Sequence, residues 1–280
     1  MFIPLHLAKL LYYRFRARRP FGDSRSLNES QKKYLRAVQV DGVTVMENYC
    51  TPQECQLLMA ELDRLLRDYE PAIVRDECNS DSRAYGADQV SDPIHKYYAD
   101  PFITGIGRAY MGADLQNFFT MANKVVPVPG NVGSGGGWHR DTVHERQFKS
   151  ILYLTDVTEE TGAFTYLPGS HRLSDLFKTI AFAGIRYAQY QYTDAEIDRI
   201  VQKSGVEPKT ISGKAGSLIL VDSSGIHRGR PILTGVRYAM ANYFYDPDTI
   251  RRMRERKKFT TYFLGDSTAR FDPELKPSMM

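Results

Sequence analysis

Three residues have the types and spacing to hold a metal ion: His139 and Asp141 in the triplet His139-Arg140-Asp141, and His227, 88 positions further on. Two imidazoles and one carboxylate can bind a divalent ion on one face and leave the opposite positions open. Such a donor set suits a non-haem Fe(II) that must still accept an anionic co-substrate and oxygen. The spacing has a geometric reason. Residues i and i+2 project from the same side of a strand, so His139 and Asp141 can reach one ion together. The second imidazole must then come from a neighbouring strand that is distant in sequence. A His-x-Asp triplet alone recurs by chance in chains of this composition, so context must carry the reading. Here the triplet follows a glycine-rich run at 133–137 and precedes an apolar segment. His227 follows the apolar run Leu218 to Val221, and a basic residue, Arg237, comes ten positions later.

Strands and turns must position these residues. Val43 to Glu47 reads as a short strand after Asp41-Gly42. Thr51-Pro52-Gln53-Glu54 opens a helix, with Thr51 as N-cap, Pro52 at the first position and Glu54 closing a capping box. Leu58, Leu62, Leu65, Leu66 and Tyr69 give that helix one apolar face. The N-terminal third is therefore expected to be helical with one strand. Further strands are expected over Phe118 to Val128, Phe148 to Val157, Ser217 to Asp222 and Arg237 to Tyr245. A second capping box, Thr193-Asp194-Ala195-Glu196, opens a helix among them. Another helix should start at Asp246-Pro247 and run into the basic stretch Arg251 to Lys258. Short, mostly non-helical segments punctuated by Gly and Pro point to a sandwich or barrel.

Composition sets the outer limits. The chain has 280 residues, 42% of them hydrophobic and 25% charged, as in a soluble globular protein. A net charge of +4 is too weak to indicate nucleic acid. Three cysteines without metal-type spacing fit a reducing, cytoplasmic setting and no disulfide framework. The first 22 residues have no acidic side chain; a mostly apolar start leads into Arg14, Arg16, Arg18 and Arg19. This stretch is too short and interrupted to span a bilayer, and its charge order is wrong for a signal peptide. We read residues 1–28 as a basic amphipathic arm, which packs on the domain, lies on an anionic membrane surface or serves as a targeting peptide. Residues 29–280 read as a single domain.

Several segments resemble the phytanoyl-CoA dioxygenase family: Gly137 to Asp141, the run Thr161 to Arg172 with its Pro168-Gly169-Ser170-His171 turn, Gly225 to Gly229, and Asp41 to Tyr49. The likeness spans roughly residues 35–246. It implies a mainly β protein with flanking helices around a double-stranded β-helix (jelly-roll, cupin-like) core. It also implies Fe(II), 2-oxoglutarate and O2, and a hydroxylase acting on a small molecule with release of succinate and CO2. The iron ligands fall on His139, Asp141 and His227. The anchor for the distal carboxylate of 2-oxoglutarate falls on Arg237, whose planar fork suits a carboxylate. Lys96 and Thr120 are further co-substrate candidates. Lys124, which shares strand parity with Thr120, is another. An aromatic that the family can place on the central strand falls near Ile151; Tyr153, of the same parity, could substitute. A carboxylate at Asp141 favours oxygen insertion over halogenation, because the family's halogenases carry a small residue there.

Other features stay open at this stage. The same centre could serve desaturation, epimerisation or ring formation. A non-catalytic jelly-roll and a zinc hydrolase are rival readings. His144 has the wrong parity for a ligand, and His171 reads as part of its turn. His6 and His95 carry no signal of their own. The glycine run is either a lid or a passive connection, and Trp138 either walls the pocket or sits in the core. Arg251 to Lys258 reads as a solvated face, with an anion-binding surface as the minority view and an anionic or lipid- or sugar-linked substrate as its corollary. Oligomeric state is not legible.

Overall fold

The computed structural model describes residues 21–270 except 113, 144, 173–182, 187–188 and 258–259. The expected arm therefore lies outside the described residues up to residue 20, as do His6 and His144. At its visible end the Phe21 ring lies under the Arg146 guanidinium at 4.0 Å, and the Gly22 amide donates to Ala109 O at 2.7 Å.

In chain order the main elements are α1 (Glu29–Asp41), β1 (Val43–Met46), α2 (Pro52–Asp68), β2 (Val74–Arg75), β3 (Asp81–Tyr85), α3 (Asp92–Tyr98) and α4 (Pro101–Met111). There follow β4 (Gln116–Val125), β5 (Trp138–His139), β6 (Phe148–Tyr153), β7 (Phe164–Tyr166), β8 (Gln191–Tyr192) and α5 (Asp194–Ser204). The chain continues through β9 (Lys209–Ile211), β10 (Leu218–Asp222), β11 (His227–Gly229), β12 (Arg237–Tyr245) and α6 (Pro247–Glu255). Both expected capping boxes form: Thr51 with Glu54 on α2, and Thr193 with Glu196 on α5. Asn28 and Gln31 make a third on α1. The expected strand at 118–128 stops at Val125, and the one at 148–157 stops at Tyr153, beyond which Val157 makes only an isolated bridge to Gly213. The N-terminal third carries two strands more than its sequence suggests, β2 and β3. The polar run Asp81-Ser82-Arg83 hid β3, because its charged groups satisfy one another inside the protein.

A seven-stranded sheet has the order β1-β10-β6-β12-β4-β3-β2, and a five-stranded sheet the order β8-β5-β11-β7-β9. All pairings are antiparallel. Two such sheets facing one another, with helices on the outer face of the larger, make the double-stranded β-helix. Strand parity divides the larger sheet. Leu218, Leu220, Met240, Phe244, Leu152 and Ala122 pack on the helical layer with Leu62, Leu65, Ile94 and Ile103. Ile219, Val221, Tyr153 and Ala239 turn the other way and meet Phe164, Tyr166 and Ile211 of the smaller sheet. Among the described residues no helix is long and apolar enough to cross a membrane.

Gly42 joins α1 to β1 in the left-handed region, at φ +83, and a Cβ there would collide with the Tyr166 hydroxyl and the His171 ring. Tyr166 in turn donates to Asp222 O at 2.9 Å, at the end of β10. Gly42→Ala is therefore expected to cost about 2–3 kcal/mol, read as a lower urea midpoint, because it adds backbone strain to overpacking.

Candidate metal centre

The smaller sheet brings the two histidines side by side. β5 and β11 are antiparallel, with His227 directly opposite His139 and ring centroids 4.3 Å apart. β5 ends at His139, and Asp141 follows in a bend whose amide donates to Ser223 O at 3.0 Å. One donor atom from each of His139, Asp141 and His227 lies within 4.8 Å of the others. Both rings are aimed by the same device. Nδ1 of His139 lies 2.8 Å from Gly137 O, and Nδ1 of His227 lies 2.9 Å from Gly225 O. A carbonyl can only accept, so each Nδ1 carries the hydrogen and each Nε2 keeps its lone pair for an ion.

Electrostatics put all three groups in the ligating state. Burial, with His139 beside it, pushes His227 down to about 3, and burial lowers His139 as well. Both rings are thus neutral at neutral pH. Burial opposes ionisation of Asp141, but the Lys149 ammonium, joined at low pH by the imidazoles once they protonate, outweighs it and holds the carboxyl well below its usual range. Lys149 Nζ lies 2.5 Å from Asp141 Oδ2 and 3.9 Å from the centre of the Tyr243 ring. Sequence reading missed Lys149. A lysine within an apolar strand looks solvent-facing, whereas both faces of this sheet are covered.

These groups open into a cavity of about 410 Å³. Lys149, Ile151 and Tyr153 of β6 line it, so the parity expected of Ile151 and Tyr153 places both on its wall. The Tyr153 hydroxyl is spent elsewhere: it donates to Ile211 O at 3.0 Å and accepts from the Phe164 amide at 2.9 Å. Arg237 reaches the same cavity, buried, at the start of β12. One guanidinium nitrogen donates to Gly162 O, while Nε is buried with no partner among the described residues. Desolvation pulls the guanidinium below its ordinary value. A buried cation with an unused donor is what an anionic co-substrate would satisfy, so the residues fit 2-oxoglutarate. A second buried guanidinium, Arg83, also lines the cavity, but its Nη2 lies 2.7 Å from Asp81 Oδ2.

The structure does not bring Lys96, Thr120 and Lys124 to the cavity. Thr120 and Lys124 share parity, as expected, but that parity faces the helical layer. Thr120 donates from Oγ1 to Asn242 Oδ1 at 2.6 Å, and its amide donates to Asp88 at 2.7 Å. Lys124 pairs with Asp63 at 2.8 Å. Lys96 sits in the last turn of α3, outside the cavity lining. Their neighbours Met121 and Asn123 line the cavity instead. Trp138 points away from His139 into a core with Leu167, Ile197 and Ile226, and its Nε1 donates to Asp194 at 3.0 Å. His171 is buried with Nε2 3.2 Å from Gln39 O, while Ser170 Oγ of the same turn accepts from the Ile226 amide at 2.7 Å. That turn thus braces the approach to His227. Arg228 and Arg230 pair with Asp194 and Glu159 at the surface.

The glycine-rich run is anchored. Ser134 Oγ donates to Asp81 at 2.6 Å, and Ser134 O accepts from the Gly229 amide at 3.0 Å. Gly135, at φ +93, lies so close to the His139 imidazole that a Cβ would collide with it. Gly135→Ala is therefore expected to tilt His139 and weaken metal affinity about 10–100-fold, the range for losing a ligand's supporting contacts. Competition with a chromophoric chelator would measure this; unchanged affinity would show that the loop yields instead of the ring.

The sequence profile of the phytanoyl-CoA dioxygenase (PhyH) family matches residues 38–239. The ectoine dioxygenase of Bordetella parapertussis is 25% identical over 229 residues, covering 74% of this chain and 72% of the relative. That of Nocardia farcinica is 26% identical over 223 residues, covering 71% and 72%. Among solved structures, iron-bound EctD from S. alaskensis superposes with a TM-score of 0.63 at 17% identity, covering 81% of this chain and 82% of that one. The epimerase SnoN, in complex with Fe3+, α-ketoglutarate and nogalamycin RO, superposes at 0.60 and 18% identity, covering 78% and 84%. At these identities the superpositions speak for the fold alone.

Proposed function

The chain belongs to the phytanoyl-CoA dioxygenase family, and from that premise we propose that it is an Fe(II)- and 2-oxoglutarate-dependent oxygenase that hydroxylates a C–H bond of a small molecule. The observation that carries this reading is one cavity receiving His139, Asp141 and His227 together with the half-satisfied guanidinium of Arg237. Bound there, iron with 2-oxoglutarate and O2 supplies the oxidising chemistry: the co-substrate leaves as succinate and CO2, and one oxygen atom goes to the substrate.

The chain's own residues do the rest. His139 and His227 present neutral Nε2 atoms whose direction their Nδ1 hydrogen bonds fix. Asp141 supplies one negative charge, so the ion keeps a net positive charge toward an anionic co-substrate. Lys149 restrains Oδ2 of Asp141. Arg237 pairs with the distal carboxylate of 2-oxoglutarate through its fork. Phe164, Tyr243 and Tyr245 wall the cavity and keep water from the reacting groups. A cavity of about 410 Å³ suits a small molecule.

The test has two parts. Anaerobic protein with Fe(II) and 2-oxoglutarate should develop a visible metal-to-ligand charge-transfer band. Aerobic turnover against metabolite pools should release succinate with a product heavier by one oxygen. A product of unchanged mass would indicate epimerisation at the same centre, and one lighter by two hydrogens desaturation. Neither band nor succinate would sink the oxygenase reading in favour of a binding protein or a zinc hydrolase.

A further inference from the structure

Helix α6 and its C-cap residue Arg256 present four arginines, and they divide by face. Arg251 pairs with Asp248 at 3.0 Å, and Arg254 lies over the Phe118 ring at 5.6 Å. Both are off the cavity. Arg252 and Arg256 line it together with Thr249 and Met253, at the positions i, i+3, i+4 and i+7 that make one helical stripe. Both are exposed, so they stand at the cavity mouth. Among the described residues neither has a carboxylate partner; Arg252 donates only to Thr249 Oγ1, at 2.8 Å. The helix that carries them is held firmly. Asp246 caps it by accepting from the Thr249 amide, and Ile250 and Met253 are buried against Phe118, Phe119 and Phe263.

The charges lining the cavity leave these two over. Lys149 is matched by Asp141, Arg83 by Asp81, and Arg237 is committed to the co-substrate. Glu145 is the only other acid on the lining among the described residues. Two guanidiniums one helical turn apart, with Cβ atoms about 5–6 Å from each other, can converge on one anionic group.

We infer that the substrate of this centre carries a phosphate or carboxylate, which Arg252 and Arg256 hold at the cavity mouth while the rest of the molecule reaches in toward the metal ligands. This rests on the oxygenase reading and adds the substrate's chemical class. The arrangement fits a compact molecule with one terminal anionic group.

The test is calorimetric titration of the anaerobic Fe(II)·2-oxoglutarate protein with methyl phosphate, acetate and, as a neutral control, methanol, at matched ionic strength. Saturating 2-oxoglutarate keeps Arg237 occupied. The expected result is saturable binding of methyl phosphate or acetate, weakened about tenfold or more in Arg252→Ala/Arg256→Ala and unchanged in Arg251→Ala. The better of the two ligands identifies the group. No saturable binding of either anion, equal binding by the double variant, or equal weakening by Arg251→Ala would overturn the inference; the last would reduce it to a general positive field. The charge-transfer band, recorded first on the same sample, separates the two readings. Its absence would remove the oxygenase assignment, while the isotherms would still decide whether the arginine pair binds an anion.

Discussion

Asp141→Ala is expected to abolish 2-oxoglutarate-dependent succinate release and to weaken Fe(II) binding by at least about 100-fold. Loss of a residue that merely supports a ligand already costs 10–100-fold, and Asp141 supplies the only carboxylate of the set. A second effect should appear without metal. Lys149 is buried with Asp141 as its counter-charge. Removing one partner of a buried ion pair costs about 3–5 kcal/mol, because the other charge is left in a poor solvent. The metal-free variant should therefore unfold at lower urea than the wild type. The deficit has a pH signature. In the intact pair Asp141 holds Lys149 above its ordinary value of 10.5. Without Asp141, burial, the largest influence on Lys149, is opposed only by Tyr243 and is expected to drive the folded-state value below that of the unfolded chain. The penalty is then full at low pH and shrinks as pH rises toward the unfolded value. Urea titrations between about pH 6 and pH 9 should show the gap between variant and wild type closing upward. Asp141→Asn, which keeps the shape, should lose the metal with a smaller stability cost. Full turnover in Asp141→Ala would remove the residue from the ligand set, and a pH-independent gap would deny the buried pair.

Arg237→Met should separate co-substrate binding from stability. Truncating one partner of a buried, hydrogen-bonded charge pair costs about 2–5 kcal/mol, or roughly 30-fold to over 1000-fold in affinity. The concentration of 2-oxoglutarate needed for half-maximal charge-transfer absorbance should rise by that factor, while the KM for substrate changes little. The fold should not suffer. This guanidinium is desolvated, donates to Gly162 O and, among the described residues, leaves Nε unused. Replacing it with an apolar side chain of similar length removes that burden, so the metal-free variant should be as stable as the wild type or more so. An unchanged 2-oxoglutarate requirement would move the anchor elsewhere, and Arg83, the other buried guanidinium on the wall, would be examined next. A large loss of stability would mean that Arg237 serves the fold first.

Much of the architecture was legible because it is encoded locally. The capping boxes at Thr51 and Thr193 mark their helix starts through hydrogen bonds three residues long. β12 runs over the expected Arg237 to Tyr245, and β1 and β10 lie within one residue of expectation, because their apolar runs are bounded by turn residues. β3 was not legible, since Asp81 and Arg83 are polar for the sake of each other and of Ser134, which lies 53 positions beyond Asp81 in the sequence. Parity was sound and still insufficient at Thr120 and Lys124. The larger sheet is covered on both faces, so no alternation of apolar and polar residues reveals which face looks into the cavity. The inward face of β6 includes Lys149, whose charge is tolerated only because Asp141 arrives from the other sheet.

By itself the sequence determined the donor chemistry: two imidazoles and a carboxylate at a spacing that can serve one ion, a distant arginine, and the family turns around them. Those are properties of residue type and short-range geometry. Only the tertiary structure decided which basic side chains share the cavity. It drew Arg237, Lys149 and Arg83 inward, turned Lys124 and Thr120 toward the helices, and set Arg252 and Arg256 at the mouth. That choice depends on register between strands far apart in the chain and on which face of a doubly covered sheet meets its partner, and neither is written in any local run of residues.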